Sequence, residues 1–296
     1  MPSSQFVIEE FVPRRGLRGG HTQTIASFLL RRRFRLPAPE RRLVEVEPGT
    51  SVLCECHWQR ENRSRAMTLV ALHGLEGSSE SGYMLGIAEK GLKLGMNVVL
   101  MNQRNCGGES CETTSLYHSG RSGDVAAVAK HLVDTDKVER LSLVGYSMGG
   151  NIVLKCAGEY GAQAPVQLKG VAVACPALDL AASADALHLR GNRLYESYFV
   201  WRLRRRLKEK AQQNPGQYDV GRLTGIKTLR EFDDKITAYY SGFRGADDYY
   251  FRAAAARVVD NIAVPTLVLH AKNDPFVRIT AETRAKLVGN PNIRLV

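Results

Sequence analysis

Short apolar runs recur along the chain and alternate with longer amphipathic segments. The runs are rich in valine and leucine, which is typical of buried strands, and most segments between them have the apolar spacing of helices. Strands are predicted over residues 43–47, 52–58, 67–74, 96–104, 141–144, 168–175, 264–271 and 292–296. Helices are predicted before Gly95, over 124–133, after Gly149 and over 280–288. This alternation predicts an α/β fold with a mostly parallel central sheet and helices on both faces.

The alternation stops between residues 177 and 260. This segment has no convincing strand but contains helical stretches, among them 196–210 and 227–240. Ligands of open parallel sheets bind outside the carboxyl ends of the strands, so an insertion after the 168–175 strand would cover that edge. We therefore expect four parts: a basic N-terminal extension (1–42), the first part of an α/β core (43–176), a helical cap (177–260) and the second part of the core (261–296).

A G-x-S-x-G pattern, Gly145-Tyr146-Ser147-Met148-Gly149, lies between the 141–144 run and a helical pattern. A serine on a sharp turn between a strand and a helix needs neighbours with almost no side chain two residues away on either side. The turn exposes the hydroxyl above the sheet, and the helix N-terminus favours developing negative charge. The pattern also arises by chance in glycine-rich chains, but its strand and helix context favours Ser147 as a nucleophile.

Acyl transfer at a serine also needs a base and a carboxylate that orients it. Asp274 follows the 264–271 strand, after the cap, where the acid of a Ser–Asp–His order is expected. A turn-forming role before Pro275 is the structural alternative for this residue. Asp179, at the end of the preceding strand, is the reserve candidate.

The donors for the oxyanion are predicted to be two backbone N–H groups. One belongs to Met148, after the nucleophile, and the other to Leu75 in the loop His73-Gly74-Leu75-Glu76-Gly77. His73 precedes this turn, so we expect it to be a structural loop residue. None of the seven histidines, at positions 21, 57, 73, 118, 131, 188 and 270, follows Asp274 as the order of this triad requires.

The charge balance is the unusual feature of the composition. The hydrophobic content of 44% and the charged content of 24% are ordinary, but the formal net charge is +11. The arginines cluster in three places: Arg31–Arg35, Arg41–Arg42 and Arg202–Lys210. Such clusters contact nucleic acid, anionic lipid or only solvent, and no nucleic-acid-binding motif accompanies these, so no nucleic-acid partner is predicted.

The basic helical stretch 196–210 has two interpretations. The default is a cap helix that packs Phe199, Leu203 and Leu207 on the core and exposes its charges to solvent. The alternative is peripheral docking to an anionic membrane.

The N-terminal residues include acids and lack the apolar core of a signal peptide, and no apolar run approaches the ~20 residues of a membrane span. The cysteines, at 54, 56, 106, 111, 156 and 175, form no C-x-x-C pair. Cys54 and Cys56 would share a strand face, but a zinc site needs two more ligands at suitable spacing. We expect reduced thiols in a cytoplasmic protein, with no metal and with peripheral membrane contact as the open alternative.

Eight stretches resemble, in order, the YheT-like α/β-hydrolases, the AB-hydrolase-4 group that is related to eukaryotic abhydrolase-domain lipases and esterases. They are HTQTI (21–25), HGLEGSSESGYM (73–84), MNQRNCGG (101–108), YHSGRSGD (117–124), VGYSMGGNIVLK (144–155), ITAYYSGFRGADDYY (236–250), VPTLVLHAKNDPF (264–276) and NPNIRLV (290–296). The resemblance implies an α/β-hydrolase fold and places Ser147 and Asp274 on the family's nucleophile and acid. It also implies a catalytic histidine in a Gly-Gly-His stretch after the segment that matches NIRLV, beyond Val296.

These features predict a serine carboxylic-ester hydrolase of the esterase or acylglycerol-lipase type, which uses a Ser-Asp-His triad and an acyl-enzyme and needs no cofactor. The expected substrate is a small-molecule ester or an acylglycerol. Because the histidine lies beyond residues 1–296, we expect this stretch alone to be nearly inactive. The alternative is a non-catalytic α/β-hydrolase-fold protein that binds a small apolar ligand under the cap.

Overall fold

Eight strands form one sheet in the computed structural model, which describes residues 11–30, 32–108, 113 and 115–296. In chain order they are β1 (Glu40–Glu47), β2 (Thr50–His57), β3 (Thr68–Leu72), β4 (Asn97–Met101), β5 (Leu141–Tyr146), β6 (Leu168–Ala174), β7 (Thr266–Leu269) and β8 (Ile293–Leu295). Their order across the sheet is β1-β2-β4-β3-β5-β6-β7-β8. The pairs β1–β2 and β2–β4 are antiparallel, and the other neighbours are parallel. The predicted α/β fold with a mostly parallel sheet is confirmed.

The helices follow the predicted alternation as far as β6. The α-helices in the described part of the chain are α1 (Gly20–Leu29), α2 (Gly82–Lys93), α3 (Ser122–Asp136), α4 (Met148–Tyr160), α5 (Leu180–His188), α6 (Arg193–Gln213), α7 (Leu229–Phe232), α8 (Tyr239–Ser241), α9 (Ala246–Ala253) and α10 (Ala281–Gly289). Short 3₁₀ turns lie at Gly161–Gln163, Arg190–Asn192, Val220–Leu223, Ala255–Arg257 and Val259–Asn261.

Helices cover both faces of the sheet. Successive strand residues point to opposite faces of the sheet, so adjacent residues of β3 contact helices on different faces. Ala71 belongs to one buried cluster with Met84 and Ala88 of α2. Val70 and Leu72 belong to the larger core cluster, which contains the apolar residues of α3 and α4. The two clusters therefore lie on opposite faces of the sheet.

The chain between β6 and β7 is helical and carries α5 to α9. The predicted helix at 196–210 is part of the 21-residue α6. Its buried Val200, Leu203 and Leu207 form one apolar stripe, as a helix packed on a core requires. The predicted stretch 227–240 is interrupted, since a π-helix, Asp233–Ala238, separates α7 from α8. The boundaries of the cap at 177 and 260 stay a prediction.

The predicted N-terminal extension contains ordered structure that the sequence did not indicate. Within it lie α1 and the start of β1 at Glu40. A Cβ added at Gly20 would collide with the backbone oxygen of Asn273, so α1 packs directly on the loop after β7. The first ten residues, Arg31 of the first arginine cluster and Cys111 lie outside the described residues. None of the helices that the structure describes is both long and apolar enough to span a membrane.

Candidate active site

Ser147 occupies the turn between β5 and α4 in a strained conformation. Its φ of 52° and ψ of −118° lie in a region that residues with a side chain rarely adopt. Its backbone is fixed by hydrogen bonds from its N–H to Ala174 O (3.0 Å) and to its carbonyl from the N–H groups of Asn151 and Ala177 (both 3.1 Å). The surroundings therefore hold the strain in place, as at the nucleophile turn of this kind of sheet.

The glycines of the motif are required by close approach of the backbone. A Cβ at Gly145 would lie 2.6 Å from Gly149 O, and one at Gly149 would lie 2.5 Å from Leu72 O. Gly74, in the loop after β3, would place a Cβ 3.1 Å from the Cβ of Ser147. The sheet, the helix and this loop thus meet around the serine with no room for side chains.

Ser147 lies on the wall of a cavity of about 110 Å³ between the sheet and the helices that follow β6. Leu75 and Met148 line the same cavity. Most of the remaining lining is apolar. The largest share of the apolar residues comes from α5, α6 and α7, including Leu180, Leu187, Phe199, Leu203, Leu229 and Phe232. An apolar wall with a few polar groups is typical of a site that binds an acyl chain or another apolar group.

Leu75 and Met148 line the cavity together with Ser147, and Met148 also follows Ser147 in the chain. Met148 is the first residue of α4, so its N–H has no partner within the helix. Leu75 lies inside the turn that is closed by the hydrogen bond from Gly77 N to Gly74 O (3.1 Å). Their role as oxyanion donors stays a prediction that this geometry supports.

Asp274 lies in the loop after β7 and is half-buried. Its Oδ1 accepts the N–H groups of Phe276 (3.0 Å) and Val277 (2.8 Å), which fixes the carboxylate. The turn-forming role and the orienting role are therefore compatible, because Oδ2 takes part in neither of these bonds.

Both carboxylate oxygens of Asp179 accept hydrogen bonds at the start of α10. Its Oδ2 accepts the Thr280 N–H (2.7 Å), and its Oδ1 accepts the hydroxyls of Thr280 (3.2 Å) and Thr283 (2.7 Å). It therefore braces the start of α10. Neither Asp179 nor Asp274 is among the described residues that line the cavity, although Phe276 and Val277, whose N–H groups Asp274 accepts, do line it.

His73, which follows β3, does not fit the base. His73 is fully buried, its Nε2 accepts the Gln103 N–H (3.1 Å), and its Nδ1 lies 2.8 Å from Gly74 O. Burial lowers its pKa to about 4. Both ring nitrogens are thus engaged, which supports the structural role predicted for it.

His118 is the histidine that lines the cavity among the described residues. Its Nδ1 accepts the Gly120 N–H at 3.1 Å, so the neutral ring carries its proton on Nε2. Burial holds the pKa of His118 well below its ordinary value. This tautomer can donate a hydrogen bond but has no free lone pair to accept the proton of Ser147.

Two buried carboxylates near the cavity were missed by the sequence reasoning. Glu76, after Leu75, contacts Arg202 and Arg206 of α6, and Asp233 of the π-helix lines the cavity itself. The available signals were a carboxylate in a glycine-rich loop and arginines one helical turn apart, but no local pattern pairs them.

The described residues offer no candidate metal centre. Cys54 and Cys56 are buried on the same face of β2, and burial raises the pKa of Cys56 to about 12. No group of three or more His, Cys, Asp or Glu side chains in the described part of the chain is placed to hold a metal ion.

The sheet, the elbow at Ser147 and the helices around them define an α/β-hydrolase. The sequence profile of the Hydrolase_4 family, described as serine aminopeptidase S33, matches residues 63–290. The chain belongs to this family. It is 34% identical over 273 residues to YheT of Escherichia coli (strain K12), which bears the name of an esterase, covering 90% of this chain and 78% of YheT. The resemblance to the YheT-like hydrolases is confirmed.

A second relative and a solved structure are also similar to the chain. The chain is 30% identical over 230 residues to the phospholipase ABHD3 of Mus musculus, covering 77% of this chain and 56% of that one. This chain therefore spans little more than half of that relative's length. Est1E from Butyrivibrio proteoclasticus, solved with ferulic acid bound, matches with a TM-score of 0.57 and 16% identity over 86% of this chain and 88% of that one, which shows the shared fold.

Proposed function

We propose that the protein hydrolyses carboxylic esters through an acyl-enzyme on Ser147. The observation that carries this proposal is the strained backbone of Ser147, held by its neighbours on the wall of an apolar cavity. Such strain persists only where the surroundings enforce it, and it exposes the hydroxyl to a bound carbonyl. The names of the relatives, esterase and phospholipase, agree with this reaction class.

The proposed reaction has two steps. Ser147 Oγ attacks the ester carbonyl carbon while a base takes the hydroxyl proton, and the N–H groups of Leu75 and Met148 bind the resulting oxyanion. Collapse of this intermediate breaks the ester bond, and the alcohol leaves with the proton held by the base. Water then attacks the acyl-enzyme and gives a proton to the base. The base returns this proton to Ser147 Oγ as the acyl–serine bond breaks, which releases the carboxylic acid and restores Ser147.

Asp274 is the proposed orienting acid. Its Oδ1 is held by two backbone N–H groups, and the carboxylate also contacts the Cys175 thiol. The proposed role of Oδ2 is to accept a hydrogen bond from an imidazole. The geometry of His73 and His118 argues against both as the base. We propose instead a histidine outside residues 1–296. The resemblance to the family implies the same.

The apolar lining supports an ester with an aliphatic acyl group, and we propose small-molecule esters or acylglycerols as the substrate class. The helices after β6 supply most of this lining, so the cap is the proposed source of acyl preference. Peripheral contact with an anionic membrane stays a prediction. Of the arginines of α6, Arg202 and Arg206 face Glu76, whereas Arg205 pairs with Glu209 at the surface.

The assignment of Ser147 is tested with a fluorophosphonate probe, which bonds covalently to activated serines. The full-length protein should be labelled and Ser147→Ala should not, with ester turnover lower by roughly 10³-fold or more. Labelling of the alanine variant would contradict the assignment. A full-length protein that takes no label and turns over no ester would favour the alternative, a non-catalytic protein that binds an apolar ligand.

The same assay separates the two candidate acids. Asp274→Asn should lower kcat by about 10³- to 10⁴-fold with little change in melting temperature, because it removes the charge that stabilises the imidazolium. Asp179→Asn is the control, and it should lower stability by ~1 kcal/mol at the start of α10 while leaving kcat near wild type. The reverse pattern would transfer the role to Asp179.

A further inference from the structure

Two segments that are distant in sequence from Glu76, the loop with Tyr117 and helix α6, converge on its carboxylate, and the Glu76 side chain is 2% exposed. Tyr117 donates its hydroxyl at 2.6 Å, Arg206 donates Nε at 2.7 Å, and Arg202 donates Nε at 3.2 Å. Arg202 Nη2 also reaches the backbone oxygen of Glu76 at 3.2 Å, and Arg206 Nη1 bonds to Asn105 O. The two arginines lie one turn apart on α6, so they bind the loop after β3 to the cap.

The ion pairs of Glu76 with the two arginines are expected to add little net stability to the fold. Burial on its own raises the pKa of Glu76, but the hydrogen bond and the charge of Arg206 hold that pKa below its ordinary value, so the carboxylate is ionised at neutral pH. The desolvation of buried charges offsets most of their attraction, which makes net stability a weak explanation for this group. The planar guanidinium does impose a defined geometry on the carboxylate that it binds.

Glu76 is also one of two anchors around a proposed oxyanion donor. On one side of Leu75, the N–H of Gly74 donates to Tyr83 Oη at 3.0 Å, and Gly74 packs against Ser147. On the other side, Glu76 has a φ of 56°, a left-handed conformation that is uncommon for a residue with a side chain. Bonds to both its carboxylate and its backbone oxygen hold this conformation. The direction of the Leu75 N–H follows from the two anchors together.

We propose that Glu76, held by Arg202 and Arg206, is a positioning residue for the oxyanion hole. The Leu75 N–H then has the orientation needed to bind the oxyanion only when α6 is packed against the loop after β3. This inference rests on the proposed function, which assigns the Leu75 N–H as a donor. If α6 moves away from the sheet, both ion pairs break and Leu75 loses one anchor. The same helix lines the cavity with Phe199, Leu203 and Leu207. A substrate that packs against α6 therefore also favours the conformation of the loop after β3 in which the Leu75 N–H can bind the oxyanion.

The test compares Glu76→Gln and Arg206→Gln in the full-length protein, separately and combined, on a short-chain ester. We expect each to lower kcat roughly 10- to 100-fold with KM within about threefold of wild type, since a misdirected donor weakens transition-state binding selectively. The double variant should lose less than the product of the two single losses. Arg205→Gln is the matched control, because Arg205 lies on the same helix but pairs with Glu209 at the surface.

Two inhibitors distinguish a positioning role of Glu76 from a general loss of structure at the site. The affinity for a trifluoromethyl ketone, which forms an oxyanion adduct with the serine, should fall in parallel with kcat. The affinity for a non-reactive ether analogue of the same shape should stay unchanged. A merely structural role would weaken both together, and this result would overturn the proposal.

Wild-type kcat in Glu76→Gln would overturn it as well. If that variant does not fold, Arg206→Lys decides, because lysine keeps the charge but loses the planar contact, and undiminished kcat there would contradict the proposal. Failure of the proposed function gives a different result, namely a wild-type protein without turnover or a Ser147→Ala variant that is still labelled.

Discussion

Asp233 is a buried carboxyl whose hydrogen bonds come from neutral donors, the hydroxyls of Tyr250 and Thr237, each at 2.7 Å. The nearby Arg230 directs its own hydrogen bonds to Asp185 and Asp247 at the surface. Burial therefore dominates and raises the pKa of Asp233 from 3.8 to about 6. The folded protein consequently holds a proton on this side chain over a pH range in which the unfolded chain has lost it.

This difference makes stability depend on pH in a defined direction. Between about pH 4 and pH 6 the folded state binds more protons at Asp233, so its ionisation destabilises the fold as pH rises. At about 1.4 kcal/mol per pKa unit, the effect is on the order of 3 kcal/mol at pH 7.5 and is absent below pH ~4. Asp233→Asn removes the titration and should gain stability over wild type by more at pH 7.5 than at pH 4.5, measured by urea unfolding.

Asp185→Asn is the control for the loss of one carboxylate, because its side chain is 64% exposed and forms an ion pair with Arg230 at the surface. An Asp233→Asn variant whose difference from wild type is the same at both pH values would show that burial does not shift this carboxyl.

At the scale of elements, the junction of β5, α4 and β3 leaves the least room for change. A Cβ at Gly149 would lie 2.5 Å from Leu72 O and still closer to His73 O, and both are backbone atoms that cannot rotate away. Gly149→Ala must therefore push α4 away from β3 and displace Ser147 and the Met148 N–H. We expect a loss of about 1 to 3 kcal/mol in unfolding free energy and of roughly 10²-fold in kcat.

Gly123→Ala provides the comparison within a helix. An added Cβ at this position of α3 meets open space, so alanine should be neutral or slightly stabilising there. Similar losses in the two variants would show that the loss reflects a general intolerance of alanine and not the contact with β3.

The sequence predicted those elements whose signals are local. The strands and the turn at Ser147 follow from patterns within a few residues, although the contacts that require glycine at 149 come from the distant Leu72 and His73. The π-helix at 233–238 was not predictable, because its residues have the apolar spacing of an ordinary helix. Nor was α1, a ten-residue helix with no buried residue that packs on a loop far along the chain.

The arginines of α6 show why the other contacts of the site could not be predicted from the sequence. The pattern along the helix identified Leu203 and Leu207 of the buried stripe but missed Val200, and it placed the charges on the remaining surface, toward solvent or lipid. Arg206 instead meets Glu76, which is 130 residues away. A pattern within one helix reports the residues on its surface but not the segment that packs against them.

At the scale of the whole molecule, the cavity is built from two parts of the chain. Ser147 and Met148 come from the sheet side, and the largest share of the apolar wall comes from α5, α6 and α7. Replacing residues 177–260 by the corresponding segment of a relative, with Arg202 and Arg206 retained, should change the ratio of kcat/KM for butyrate and octanoate esters by about 10-fold or more. A ratio that survives the exchange would show that the core sets chain-length preference.

The packing of α1 has a consequence for the order in which the molecule assembles. Asn273 donates to Arg18 O across 255 residues of chain, and His21 stacks on Tyr195 with ring centroids 5.8 Å apart. Contacts this distant in sequence form only after the intervening chain is ordered, because closing such a loop costs entropy that only the completed contacts repay. During synthesis the turn at Ser147 can form from residues close together in the chain, whereas the loop that carries Asp274 gains its support from α1 only after residue 273 has been made. Ser147, the proposed nucleophile, is therefore expected to be in place early in folding, and Asp274, the proposed acid, late.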